Sequence, residues 1–145
     1  MAERVPFRPR DDYRAFRTIP TRWIDNDAYG HVNNTVYYSW FDTAVNGHLV
    51  EAGVLDIATG PSICLVAESG CRYGRAVAFP EPVEAGLRVA HVGTSSVRYD
   101  IGLFAGSDPV AAAEGFFIHV HVDRLTRRPL PFTDRWRDVL GALRA

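Results

Sequence analysis

The chain has 145 residues, 47% of them hydrophobic, and a formal net charge of −1, which suits one domain with a filled core. Its aromatic residues are not interleaved with a basic run, which excludes nucleic-acid binding driven by charge. No apolar segment approaches the roughly 18 residues needed to span a bilayer. The start, Met1 to Pro6, lacks the apolar stretch of a signal peptide. Cys64 and Cys71 are too few for a disulfide framework, so two buried, reduced thiols in a cytoplasmic protein are expected.

Taken in order, residues 1–15 are polar and mixed in charge and read as an irregular, partly disordered lead-in. Phe16 to Asp25 is β-branched and aromatic, which predicts a strand whose Pro20 requires an edge position or a bulge. Asp25 to Gly30 is turn chemistry. A helix is predicted over Asn34 to Ala52, where Tyr37, Trp40, Phe41, Ala44, His48 and Leu49 recur at three- and four-residue steps. Val36 and Val45 widen that apolar stripe, so the helix is expected to be surrounded. Asn33 is its N-cap and Gly53 its C′ stop. Gly47, costing about 1 kcal/mol in a helix, implies another backbone passing close by.

Strand character follows. Ile63 to Val66 and Gly70 to Phe79 read as one long strand or two short ones, and Pro80 to Gly86 as a loop. Leu87 to Val92, Ser96 to Phe104 and Val110 to Val122 are further strands. In the last, Phe116, Ile118, Val120 and Val122 alternate with Phe117, His119 and His121, as in a sheet with one face on the core. Thr133 to Leu143 is a short closing helix capped by Thr133. Strands set against one segregated helix make an α+β domain, with an antiparallel sheet of about five strands wrapped around the long helix.

The run Arg22-Trp23-x-Asp25-x-Asp27-x-x-Gly30-His31-Val32-Asn33-Asn34-x-x-Tyr37 resembles the start of the hotdog-fold acyl-CoA thioesterases, specifically the 4-hydroxybenzoyl-CoA thioesterase-like family. The likeness continues through Tyr73, Gly93-Thr94-Ser95-Ser96 and Asp123-x-x-Thr126-x-Arg128-Pro129, and spans residues 16 to 140. Plant acyl-carrier-protein thioesterases are similar at Asp27, His31, Val32, Asn33 and Asn34, but place an asparagine where this chain has Tyr29. The resemblance implies one hotdog domain over residues 1–145 and a homodimer, often paired into a homotetramer. It also implies an active site at the dimer interface, with the acyl group in a tunnel. No separate cofactor or metal is implied, since coenzyme A is part of the substrate.

Splitting a thioester needs a carboxylate near the carbonyl carbon and donors for the developing oxyanion. The resemblance gives Asp27 the first role, as nucleophile or as general base through water. The backbone N–H of Asn34, in the first turn of the helix, suits the second role. His31 is expected to orient the carboxylate or the water, and Asp25 to pair with Arg22 or close the turn. Tyr29 and Glu68 are candidates for the substrate pocket. Among Arg72, Arg75, Arg88 and Arg98, the choice for the coenzyme's phosphates is Arg98, together with Ser95. His119 and His121 share a strand face as a metal pair would, but no third ligand stands at useful spacing. Two other readings carry weight: a hotdog enoyl-CoA hydratase using Asp27 and His31, and a non-catalytic acyl-CoA-binding hotdog protein.

Overall fold

The computed structural model describes residues 4–145; Met1 to Glu3, the start of the expected lead-in, lie outside the described residues. The main elements are β1 (Ala15–Ile19), α1 (Asn34–Glu51), β2 (Ser62–Tyr73), β3 (Val83–Val92), β4 (Ser96–Ala105), β5 (Ala113–Asp123) and α2 (Asp134–Gly141). The strands form one five-stranded sheet in the order β1-β3-β4-β5-β2, antiparallel at every pairing. With α1 laid across one face, this is the hotdog fold that the sequence predicts.

Helix α1 starts where its chemistry says it should. The Asn33 side chain accepts the Thr35 N–H at 3.0 Å, and Gly53 follows the end with φ +78°. Its inward stripe, Tyr37, Trp40, Phe41, Ala44, Val45 and Leu49, is buried, while Ser39, Asp42, Thr43 and Val50 are exposed. The helix is therefore covered by the sheet on one side and open on the other in the single chain, rather than surrounded. Its approach to β5 is close: a methyl group at Gly115 would sit 2.3 Å from the Phe41 ring. At Gly47 the neighbour is not another backbone but the Arg17 guanidinium, 2.8 Å from where a Cβ would be. Arg17 also pairs with Glu51 at 2.7 Å.

Along β5, Gly115, Phe117, His119 and His121 are buried toward α1, and Phe116, Ile118 and Val120 lie half-buried on the outer face. Residues 62–73 are one strand, with a register shift between Val66 and Glu68. β3 begins at Val83, inside the expected loop, because only Pro80 and Pro82 lack the N–H that a ladder needs. β1 stops at Ile19, just ahead of Pro20, and the Trp23–Asp25 stretch predicted as strand is a 3₁₀ turn.

The lead-in takes an irregular path, but its described part is tied down. Arg8 O accepts the Ala111 N–H at 3.0 Å, and the Arg10 guanidinium reaches Glu84, the Asp108 carbonyl and the Gly106 carbonyl, each at 2.9 Å. Tyr13 then lies on the outer face, its ring where side chains at Gly86 and Gly102 would stand, edge-on to Phe104 at 5.7 Å. Cys64 and Cys71 are free and half-buried on β2, and burial raises their thiols to about 12 and about 11. Among the described residues, no helix is long and apolar enough to cross a membrane.

Candidate active site

The polar turn ahead of α1 is held as a closed loop. Asn26 and Val32 form a bridge across its base; the Asp27 N–H donates to His31 O at 2.9 Å, and the Gly30 N–H to Asp27 O at 3.1 Å. Gly30 takes φ +85°, a conformation that costs glycine little and other residues more. The loop hangs from the segment before β3: the Val32 N–H donates to Val77 O at 2.7 Å, and Phe79 N–H to the Asn26 side-chain oxygen at 3.0 Å.

Within this frame the two aspartates differ. Asp25 is 1% exposed; its carboxylate accepts the Arg22 N–H at 2.7 Å and the Arg22 guanidinium at 2.8 and 3.0 Å. It is the structural residue of the pair, as the arginine three residues earlier led us to expect. Asp27 is half-buried. Its Oδ1 accepts the Tyr29 N–H at 2.9 Å, and its Oδ2 lies 3.4 Å from the Asn33 amide nitrogen, a long contact. Those contacts fix the carboxylate's direction and leave lone pairs free.

Asp27 lines a cleft of about 270 Å³ together with His31, Val32, Asn34, Tyr37, Tyr73, Gly74, Arg75 and Ala76. The Asn34 N–H opens α1 and has no acceptor among the described residues, the cap being spent on Thr35. The Tyr73 hydroxyl donates to Asn34 O at 3.2 Å and sets its ring edge-on to Tyr37 at 5.0 Å, which closes the back of the cleft. Burial raises the pKa of both tyrosines, so both hydroxyls keep their protons. Arg75 is half exposed at the rim and paired with Glu81 at 3.0 Å and Asp108 at 3.3 Å.

The structure thus brings Asp27, His31 and Asn34 together. Tyr29 does not line this cleft: it is 85% exposed and stacks on the exposed His31 ring at 6.4 Å. Glu68 lies on the other face of the sheet, for a specific reason. Before the bulge Cys64 and Val66 pair with the inward His121 and His119; after it Glu68 pairs with the outward Ile118. Arg98 also pairs with Ile118 and faces outward. Ser95 precedes Ser96, which pairs with Val120, whereas Tyr73 pairs with Ala113; seven residues along β5 put it roughly 23 Å from the cleft's end of the sheet.

His121 is a clamp: its Nδ1 donates to Leu130 O at 3.0 Å and its Nε2 meets the Ser62 hydroxyl at 2.7 Å. His119 is 2% exposed between Phe117 and Tyr99, and neither ring nitrogen has a partner among the described residues. The residues that sequence reasoning missed are Tyr37 and Tyr73 as cleft walls, while Arg75, weighed for the phosphates and passed over for Arg98, stands at the rim. Tyr73 stood in the family-like pattern, and Tyr37 closed its first motif; nothing local set Arg75 apart from the other arginines.

A family model described as the thioesterase-like superfamily matches residues 20–140. Among solved structures, a Pseudomonas aeruginosa protein is 50% identical with a TM-score of 0.94, covering 97% of this chain and 98% of that one. A second P. aeruginosa protein, described as a candidate thioesterase, is 30% identical with a TM-score of 0.82, covering 88% and 98%. A 1,4-dihydroxy-2-naphthoyl-CoA thioesterase from Synechocystis is 12% identical with a TM-score of 0.77, covering 87% and 94%; that likeness is one of fold. No curated protein matches the chain.

Proposed function

The chain belongs to the thioesterase-like superfamily, and on that footing we propose that it hydrolyses an acyl-CoA to a carboxylic acid and free coenzyme A. Family and fold supply the reaction class. The observation that carries the residue roles is the shared cleft, in which a half-buried, directed carboxylate and a free helix-terminal amide line one volume.

The acyl carbonyl enters with its oxygen toward the Asn34 N–H, where the dipole of α1 favours negative charge. Asp27 takes a proton from a water that attacks the carbonyl carbon, or attacks that carbon itself and leaves water to split the resulting anhydride. Either way the tetrahedral oxyanion rests on Asn34, and its collapse breaks the carbon–sulfur bond, the thiolate leaving and taking up a proton. Because the Asn34 contact is from main chain, its side chain matters less than that of Asp27. His31, open to solvent beside the carboxylate, orients the water or shuttles the proton.

The proposed working unit is a homodimer, itself able to pair into a homotetramer. β2 is an edge strand of 12 residues with Leu65 40% and Val66 48% exposed, and an unpaired edge of that length is a template for a second copy. Light scattering in solution tests the assembly. The reaction is tested by thiol release across short, long and aryl acyl-CoAs, for the wild type and Asp27→Asn. Free thiol from saturated acyl-CoAs that disappears in the variant supports the proposal. Hydration of crotonyl-CoA without thiol release overturns it in favour of a hydratase, and binding without turnover in favour of a carrier.

A further inference from the structure

Tyr73 stands between two depressions. On one side is the Asp27 cleft of about 270 Å³; on the other is a groove of about 520 Å³ lined by Arg4, Val5, Phe7, Arg72, Tyr73 and Glu114. Among the described residues, Tyr73 is the one that lines both. The two also adjoin just past it: a methyl group at Gly74, in the cleft wall, would sit 2.7 Å from the Phe7 ring, which lines the groove. Within the groove Arg72 pairs with Glu114 at 3.0 Å and lies 4.1 Å over the Phe7 ring. Those two charges satisfy each other, and Val5 and Phe7 are left as an apolar surface.

The Tyr73 ring is fixed at both ends. Its hydroxyl donates to Asn34 O at 3.2 Å, and its ring meets Tyr37 edge-on at 5.0 Å. Tyr37 in turn packs on Trp40 at 5.1 Å and is 4% exposed. The cleft therefore has a firm wall at the tyrosines and an open rim at His31 and Arg75. Its volume, about that of nine waters in the liquid, lies below the roughly 300–1,000 Å³ of a pocket for a drug-sized ligand. A thioester divides at such a site. The thiol half continues into a coenzyme too large for the cleft and leaves by the rim; the acyl half takes the closed side and ends against Tyr73.

On the thioesterase reading of the cleft, we propose that Tyr73 sets the size of the acyl group: its ring confines the substrates to short acyl thioesters, and without it the cleft opens into the groove of Val5 and Phe7 and takes long chains. Tyr73 is thus a specificity-determining residue. Its role is distinct from those of Asp27 and Asn34, which act on the carbonyl whatever chain it carries.

The test is thiol release from butanoyl-CoA and dodecanoyl-CoA by the wild type, Tyr73→Ala, Tyr73→Leu and Tyr73→Phe. It is read as the ratio of the two kcat/KM values, which does not depend on how much of each protein is folded. The wild type favours butanoyl-CoA. In Tyr73→Ala the ratio moves about tenfold toward dodecanoyl-CoA, the worth of about two methylenes received by the groove. Tyr73→Leu moves it the same way and serves where the alanine variant does not fold. Tyr73→Phe keeps the ring, loses the hydrogen bond to Asn34 O and holds the wild-type ratio. A wild type that hydrolyses dodecanoyl-CoA as well as butanoyl-CoA, or alanine and leucine variants with the wild-type ratio, overturns the size limit and leaves the hydrolase standing. A shift in Tyr73→Phe as large as that in Tyr73→Ala overturns it too, because the ring is then not the stop. No thiol from either thioester, in any of the four proteins, sinks the hydrolase reading and the size limit with it.

Discussion

The two halves of the turn before α1 treat the same side chain in opposite ways. At residues 22–25 a carboxylate is shut against solvent and saturated by one arginine's backbone and guanidinium groups; at 27–31 the other is steered by one good hydrogen bond and left open to a cleft. Two residues of separation suffice because a 3₁₀ turn points Asp25 back at Arg22, whereas the bridge at Asn26 turns Asp27 outward. A buried charge without its partner is costly, so Asp25 serves the fold. An open, directed carboxylate has spare lone pairs, which is what the role proposed for Asp27 requires.

The sharpest way to break this contrast is to exchange each aspartate and read both activity and stability. Asp27→Asn should lower kcat by about 10²–10⁴-fold with the thermal midpoint little changed; an equal loss of stability would merge the two roles. Asp25→Ala should do the reverse, costing about 1–3 kcal/mol in urea unfolding through the lost hydrogen bonds of the turn, since the Arg22 guanidinium left behind is exposed to solvent.

His119 is a third case, buried with no hydrogen-bond partner for its ring among the described residues. Burial lowers its pKa from 6.5 to about 4. The unfolded chain takes up this proton near pH 6.5, so the stability it contributes is present above that pH and lost as the pH falls toward 4. The shift corresponds to about 3 kcal/mol. In His119→Leu that part of the acid slope should vanish from unfolding curves measured between pH 7 and 4. The smallest effect belongs to Asn33, which touches both roles. Asn33→Ala removes a cap worth about 1 kcal/mol and a long contact to Asp27, so a slight drop in stability should accompany a several-fold drop in kcat.

What was legible in the chain was local. The Asn33 cap, the Gly53 stop and the three-to-four spacing between them place α1 to within a residue at its end. The pairing of Asp25 with Arg22 follows from a spacing of three. What escaped was set by distant neighbours. No residue near Ala67 announces the bulge that sends Glu68 to the wrong face. Gly86 resembles a loop residue until Tyr13 is seen occupying the space a side chain would need. The lead-in looked unattached because its anchors, Glu84, Pro109 and Ala111, come more than seventy residues later. Arg98 stands out in the sequence by its charge, but its place on the outer face, away from the cleft, is set by strand register.

The path of the lead-in also bears on how far the folding unit extends. The recognisable family span begins at residue 20, yet Tyr13 and β1 lie before it, and β1 pairs with β3 over its whole length. A polypeptide trimmed to that span would lay bare the backbone of β3 along one margin and strip the aromatic cover from Phe104. Such a truncation would invite clumping between molecules, so any shortened version for expression should start ahead of the arginines rather than at the homology boundary.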